Sequence, residues 1–98
     1  MDRYGKGARF ERRVRDHFRK NRYYSERTAG SHGPVDVIAI KEMGNMSLVL
    51  GVQCATDGVF PPEKRQRVLD WKKQTAGFPL LAWLEKRKIK FEYVEVKK

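Results

Sequence analysis

Residues 34–55 read PVDVIAIKEMGNMSLVLGVQCA, and the fold follows from how that stretch divides. Val35 to Lys41 (VDVIAIK) and Ser47 to Ala55 (SLVLGVQCA) are almost unbroken apolar runs, and Met43 to Asn45, with Gly44 inside, is a turn. Two such runs around a short turn read as a β-hairpin. Neither run alternates cleanly with polar residues, which marks central strands covered on both faces.

The flanking sequence supplies the cover. From about Lys6 to Asn21, Phe10, Val14 and Phe18 recur at helical spacing, with Ala8 and His17 beside them, and arginines fill the rest of the circumference. Tyr23 to Arg27 is a short strand, and Thr28 to Pro34 (TAGSHGP) is a loop by its glycines and proline. Thr56 to Phe60 is a second loop. Pro61-Pro62-Glu63 then opens a helix that runs to about Thr75, burying Val68, Leu69 and Trp71 or their neighbours. Pro79 to Leu84 and Lys90 to Val96 are the last strands. The order α-β-β-β-α-β-β predicts an α/β domain with a mixed central sheet of about five strands flanked by helices.

The 98 residues make one domain, 1–98, too short to bury a large core, so association of copies is expected. Twenty-two Lys and Arg against twelve Asp and Glu give a net charge of +10. A field of that sign reaches roughly 8–10 Å into solution and selects polyanions, nucleic acid first and anionic membrane second. Cys54 is the only cysteine, which excludes an internal disulfide and a thiolate zinc site. A charged N-terminus (MDRYGKGARFERRVRD) and no long apolar run point to a cytoplasmic protein without a membrane role.

Three features carry chemistry. Asp36 lies just inside an apolar strand, where an unpartnered acid is costly. Gln53 and Ala55 are two apart on the next strand and share a face that the hairpin brings beside Asp36. Glu11 projects from the edge of the first helix's apolar stripe. Two acids and an amide at one sheet end suit a hard divalent cation. Each also has a plainer reading: Asp36 as a loop cap or ion-pair partner, Glu11 paired with Arg15, Gln53 as a satisfied core amide. Cys54, on the opposite face from Gln53, is expected to be a small core residue.

At these residues the chain resembles the PD-(D/E)xK nuclease superfamily, in particular archaeal-type Holliday junction resolvases and their phage relatives. The resemblance runs through Lys6-Gly7-Ala8 and Glu11-Arg12 on the first helix, Arg27, Ala29-Gly30-Ser31 in the loop, Val35-Asp36, and Phe78 to Ala82. Where that family ends a strand in Glu-x-Lys, this chain has Gln53-Cys54-Ala55. The resemblance implies a restriction-endonuclease-like fold and a Mg²⁺- or Mn²⁺-dependent, structure-selective endonuclease acting on four-way DNA junctions as a homodimer. It implies metal binding by Glu11, Asp36, Gln53 and the Cys54 carbonyl, and DNA contacts from Lys6, Arg12, Arg27 and Ser31, with Ser31 also steadying the catalytic site. Gln53 keeps an amide oxygen as a ligand. Ala55 takes the slot of the catalytic lysine and implies an impaired enzyme, whether through an introduced Lys→Ala change or in a natural non-cutting relative. Loss of one such donor costs typically ~2.7–4 kcal/mol of barrier. The alternatives are a nuclease for flaps or duplex ends, and a non-catalytic nucleic-acid-binding protein of the same fold. The helix carrying Trp71, or the strand from Phe78 to Trp83, is expected to form the dimer surface. The aromatic rings of Tyr4, Tyr23 and Tyr24 are expected either to pack or to stack on unpaired bases.

Overall fold

A two-residue turn closes the central hairpin. In a computed structural model, which describes residues 3–28 and 34–95 with side chains from Gly7 onward, β2 (Val37–Met43) pairs antiparallel with β3 (Met46–Cys54). Met43 faces Met46 in the register, so Gly44 and Asn45 make the turn. Gly44 has φ 69°, the left-handed backbone that the first central position of a type II′ turn requires. The short strand β1 (Tyr24–Arg27) lies antiparallel on the outer side of β2.

After β3 the chain crosses over through helix α2 (Pro62–Thr75) and returns as β4 (Phe78–Glu85), parallel to β3. The final strand, β5 (Lys88–Tyr93), pairs antiparallel with β4. The sheet order is β1-β2-β3-β4-β5, and with helix α1 (Arg3–Lys20) in front it gives the expected α-β-β-β-α-β-β mixed sheet between helices.

Each helix covers one face. Phe10, Val14 and Phe18 of α1 pack on Val37, Ala39, Leu50, Val52, Cys54 and Ala82. On the other face, Val68 and Trp71 of α2 pack with Val35, Leu81 and Val94. Full burial of an aliphatic or phenyl side chain contributes about 1.5–3 kcal/mol, so these two layers hold the sheet. Gly51 and Gly77 leave the room that the Trp71 indole fills: a Cβ at Gly51 would lie 2.6 Å from its Cζ3.

Some boundaries differ from the sequence reading. The helix α1 begins at Arg3, not Lys6, so Gly5 and Gly7 are helical; a glycine there costs roughly 1 kcal/mol but does not forbid the turn. The β2 ladder starts at Val37, although the Asp36 N–H still donates to the Val52 carbonyl at 2.8 Å. The last strand starts at Lys88 instead of Lys90, because β4 runs on to Glu85 and turns through Lys86 and Arg87; it ends at Tyr93, and Val96, its expected end, lies outside the described residues. Both turn residues have positive φ (51° and 68°) with no glycine or asparagine to announce it. Of the two elements expected to carry a dimer surface, α2 turns its Trp71 ring into the core, 7% exposed, while β4 opens with Phe78, 45% exposed.

Candidate active site

The hairpin register carries on past the ladder and sets Asp36 opposite Gln53. Asp36 is half-buried, and its Oδ2 accepts the Cys54 N–H at 2.8 Å, which ties the carboxylate to the end of β3. Gln53 is 3% exposed, and its Nε2 donates to the Pro34 carbonyl at 2.7 Å. That bond leaves the amide oxygen as the acceptor end. Ala55 continues the same face two residues on and is half-buried.

Glu11 comes from α1. One of its oxygens, Oε1, accepts from Arg27 Nη2 at 3.0 Å and Nε at 3.1 Å, a charge-assisted pair between α1 and β1. The plainer pairing with Arg15 is not formed: the Arg15 Nε lies 3.0 Å from Asp16 Oδ1. Burial and then the Asp36 charge push the Glu11 carboxyl above the ordinary carboxylate range, while Arg27 and Lys64 pull it down. Burial likewise raises Asp36, opposed by the Cys54 N–H and by the charges of Lys64, Arg27 and Arg67. Burial and the two carboxylates raise the Cys54 thiol far out of reach of ionisation, as suits a core residue on the α1 side.

At one sheet end Gln53 thus lies opposite Asp36, the Glu11 and Asp36 carboxyls are close enough for their charges to act on each other, and Ala55 follows two residues beyond Gln53. Two partly desolvated carboxylates that repel each other, an amide oxygen and nearby main-chain carbonyls are a hard-oxygen donor set, the chemistry that Mg²⁺ or Mn²⁺ takes. Among the described residues no three His, Cys, Asp or Glu side chains group together, so a cation there would depend on amide, carbonyl and water oxygens to complete its shell.

Ser31 lies outside the described residues, as does the side chain of Lys6. The same holds for Tyr4. Tyr23 packs on Phe18, with ring centroids 5.2 Å apart, while Tyr24 is exposed. Arg12, about 100° round α1 from Glu11, is exposed at a cleft of about 580 Å³ that Arg13, Lys20, Arg87 and Lys88 also line. Arg13 Nη2 donates to the Arg87 carbonyl there, tying α1 to the β4–β5 turn. No helix of the described residues is long and apolar enough to cross a membrane.

The sequence reading missed Lys64 and Arg67 of α2, whose charges act on Asp36. The available signal was a cation in the first turn of a helix, against the helix dipole and four residues before the apolar Val68.

Comparison with protein-family models gives no match, and comparison with curated protein sequences gives none either. Comparison with solved structures does. The chain superimposes on the 1.6 Å structure of Hjc, a Holliday junction resolvase from the archaeal hyperthermophile Archaeoglobus fulgidus, with a TM-score of 0.69 at 20% identity. The match covers 95% of this chain and 79% of that one. The chain therefore has the restriction-endonuclease-like fold of an archaeal Holliday junction resolvase.

Proposed function

We propose that this protein is a divalent-metal-dependent, structure-selective DNA endonuclease that acts on four-way junctions. The single observation that supports the reading is the pair of mutually acting carboxyls, Glu11 from α1 and Asp36 at the end of the β2–β3 hairpin, with Gln53 opposite Asp36 in the register. In this reading Glu11, Asp36 and the Gln53 amide oxygen hold Mg²⁺ or Mn²⁺, with the Cys54 carbonyl as a further donor. A cation bound there supplies Lewis acidity to the scissile phosphate and lowers the pKa of its water. Arg27, held beside Glu11, offers a planar fork to a phosphate. Lys6, Arg12 and Ser31 contact DNA.

The basic cleft beside Arg12 and Arg87 supports a polyanion as partner, and the +10 charge supports binding dominated by counterion release. In this reading the junction is selected by its shape rather than by its base edges. Two opposed strands of a junction call for two sites, and a homodimer supplies them. In this reading the exposed rings of Phe78 and Tyr93, centroids 6.1 Å apart, form that contact. The protein acts in the cytoplasm.

Ala55 gives β3 no ammonium of its own. A site with no replacement cation would be slowed by about 10²–10³-fold. The test is a four-way junction incubated with Mg²⁺ or Mn²⁺ and either the chain or its Ala55→Lys variant. Paired symmetric nicks are expected, lost in Asp36→Ala while junction binding persists. If neither protein cuts, and calorimetry finds no divalent cation whose binding depends on Asp36, the nuclease reading fails. Competition among junction, flap and duplex identifies the substrate, and a preference for flaps would move the assignment to a related nuclease.

A further inference from the structure

Position 55 lacks its ammonium, yet a lysine from another element stands at the same level. We infer that Lys64, in the first turn of α2, supplies to the candidate active site the cationic group that β3 lacks at Ala55. The inference rests on the nuclease reading above and adds a residue that the reading does not contain.

The geometry follows from the crossover. Since β3 and β4 are parallel and α2 joins them, the helix runs antiparallel to both, and its N-terminus lies at the C-terminal end of β3. Trp71 fixes the level, because its indole sits over Gly51. From Trp71 back to Lys64 is seven residues, an axial rise of about 10 Å at about 1.5 Å each. From Gly51 forward to Ala55 is four residues, about 13 Å at about 3.3 Å each. The two positions differ by a few ångströms along the sheet, well within the span of a lysine side chain.

The helix also turns Lys64 the right way. Lys64, Val68 and Trp71 stand at i, i+4 and i+7, one stripe of the helix. Val68 is fully buried in the cluster that holds Leu81, the register partner of Gln53, and Val35, the neighbour of Asp36. Lys64 is half-buried, whereas Glu63, Arg65, Gln66 and Arg67 are exposed. It therefore enters the face that carries Gln53 and Ala55, and its charge is felt at Glu11, at Asp36 and at Cys54.

Two further observations separate this from an ordinary surface lysine. A cation in the first helical turn opposes the helix dipole, so the position does nothing for α2 itself. Among the described residues no carboxylate closes an ion pair with it: the four pairs formed use Arg15, Arg19, Arg27 and Arg65. Its ammonium is left to orient the attacking water or to offset charge growing on the phosphate.

Lys64→Met removes the charge and keeps the packing stem. Single-turnover cleavage of a four-way junction, at saturating protein and Mg²⁺, is compared in the wild type, Lys64→Met, Lys64→Met with Ala55→Lys, and Ala55→Lys alone. Lys64→Met is expected to lower the rate about 10²–10³-fold, with junction affinity within a few-fold of wild type. Ala55→Lys in that background is expected to restore most of the rate, a rescue that a merely structural role for Lys64 does not produce. Wild-type cleavage by Lys64→Met, or loss appearing only in affinity, overturns the inference. Cutting by Ala55→Lys but not by the wild type also overturns it and leaves the nuclease reading standing. If no variant cuts, the nuclease reading fails first.

Discussion

Replacing Gly51 with alanine tests the contact that sets the height of α2 on the sheet. A Cβ at that position lies 2.6, 2.7 and 2.8 Å from Cζ3, Cη2 and Cε3 of Trp71. Carbon atoms in good contact stand about 3.5–4.0 Å apart, so roughly an ångström of overlap has to be relieved. The indole is held in place, since the same Cη2–Cζ3 edge also closes on Gly77 and the residue is 7% exposed. The relief must come from the helix or the strand. Overpacking of this kind costs about 1–3 kcal/mol, and a domain of this size loses about 4–8 °C of Tm per kcal/mol. The control is Trp71→Leu, which removes the colliding ring at its own cavity cost. In that background Gly51→Ala is expected to add almost nothing, a coupling of about 1–3 kcal/mol in a double-mutant cycle measured by urea unfolding. Additive effects, agreeing within about 0.5 kcal/mol, would refute the packing account. Because the same contact levels Lys64 with Ala55, Gly51→Ala also slows junction cleavage at temperatures where the variant is fully folded.

Asp36→Asn keeps an oxygen for the Cys54 N–H and removes a carboxylate whose pKa burial has raised. A raised carboxylate is harmless below the unfolded value of about 3.9 and costs stability as pH climbs through the folded one, so the variant melts higher than wild type at pH 7 without divalent cations. The advantage vanishes near pH 3, where both side chains are neutral, and Mn²⁺ raises the wild-type Tm but not the variant's; a variant less stable at pH 7 contradicts the electrostatic account. Arg12→Ala and Lys88→Ala, at the basic cleft, weaken junction and duplex binding alike. Each lowers the slope of log affinity against log salt by about 0.9 if it removes one phosphate contact, and an unchanged slope would place the DNA elsewhere. Phe78→Glu, at a ring 45% exposed, shifts sedimentation from dimer to monomer with little change in Tm; a dimer that survives the charge does not use this surface.

The fold was legible because its signals are redundant. The apolar hairpin, the stripe of Phe10, Val14 and Phe18, and the Pro-Pro-Glu helix start each specify one element, and together they leave little choice of order. The turn at Lys86 and Arg87 was not legible, because two residues with side chains take left-handed backbone where glycine or asparagine is the usual sign. The site was legible in its strand half: adjacency in a hairpin follows from register, so Asp36 and Gln53 had to meet. Glu11 was placed by its position on the stripe edge, but its pairing with Arg27 instead of Arg15 was not, since that depends on where β1 lies against α1. Lys64 was signalled only by a cation set against the helix dipole, for a related reason. Its neighbours in sequence are surface residues, and only the height of the crossover helix shows that it enters the face of Ala55.

That height bears on how such a site tolerates change. The chemistry needs a positive group near one point, and a strand supplies it through a single alternating position, with no neighbour able to take over after a substitution. A crossover helix passes the same point with its own periodicity, and the first residue of its inward stripe arrives there by necessity, because the stripe must begin where the strand ends. The fold thus offers two routes to one location, and a lysine on either serves provided the helix is held at its level. Trp71 against Gly51 and Gly77 holds it, so residues with no chemistry of their own decide whether Lys64 can act.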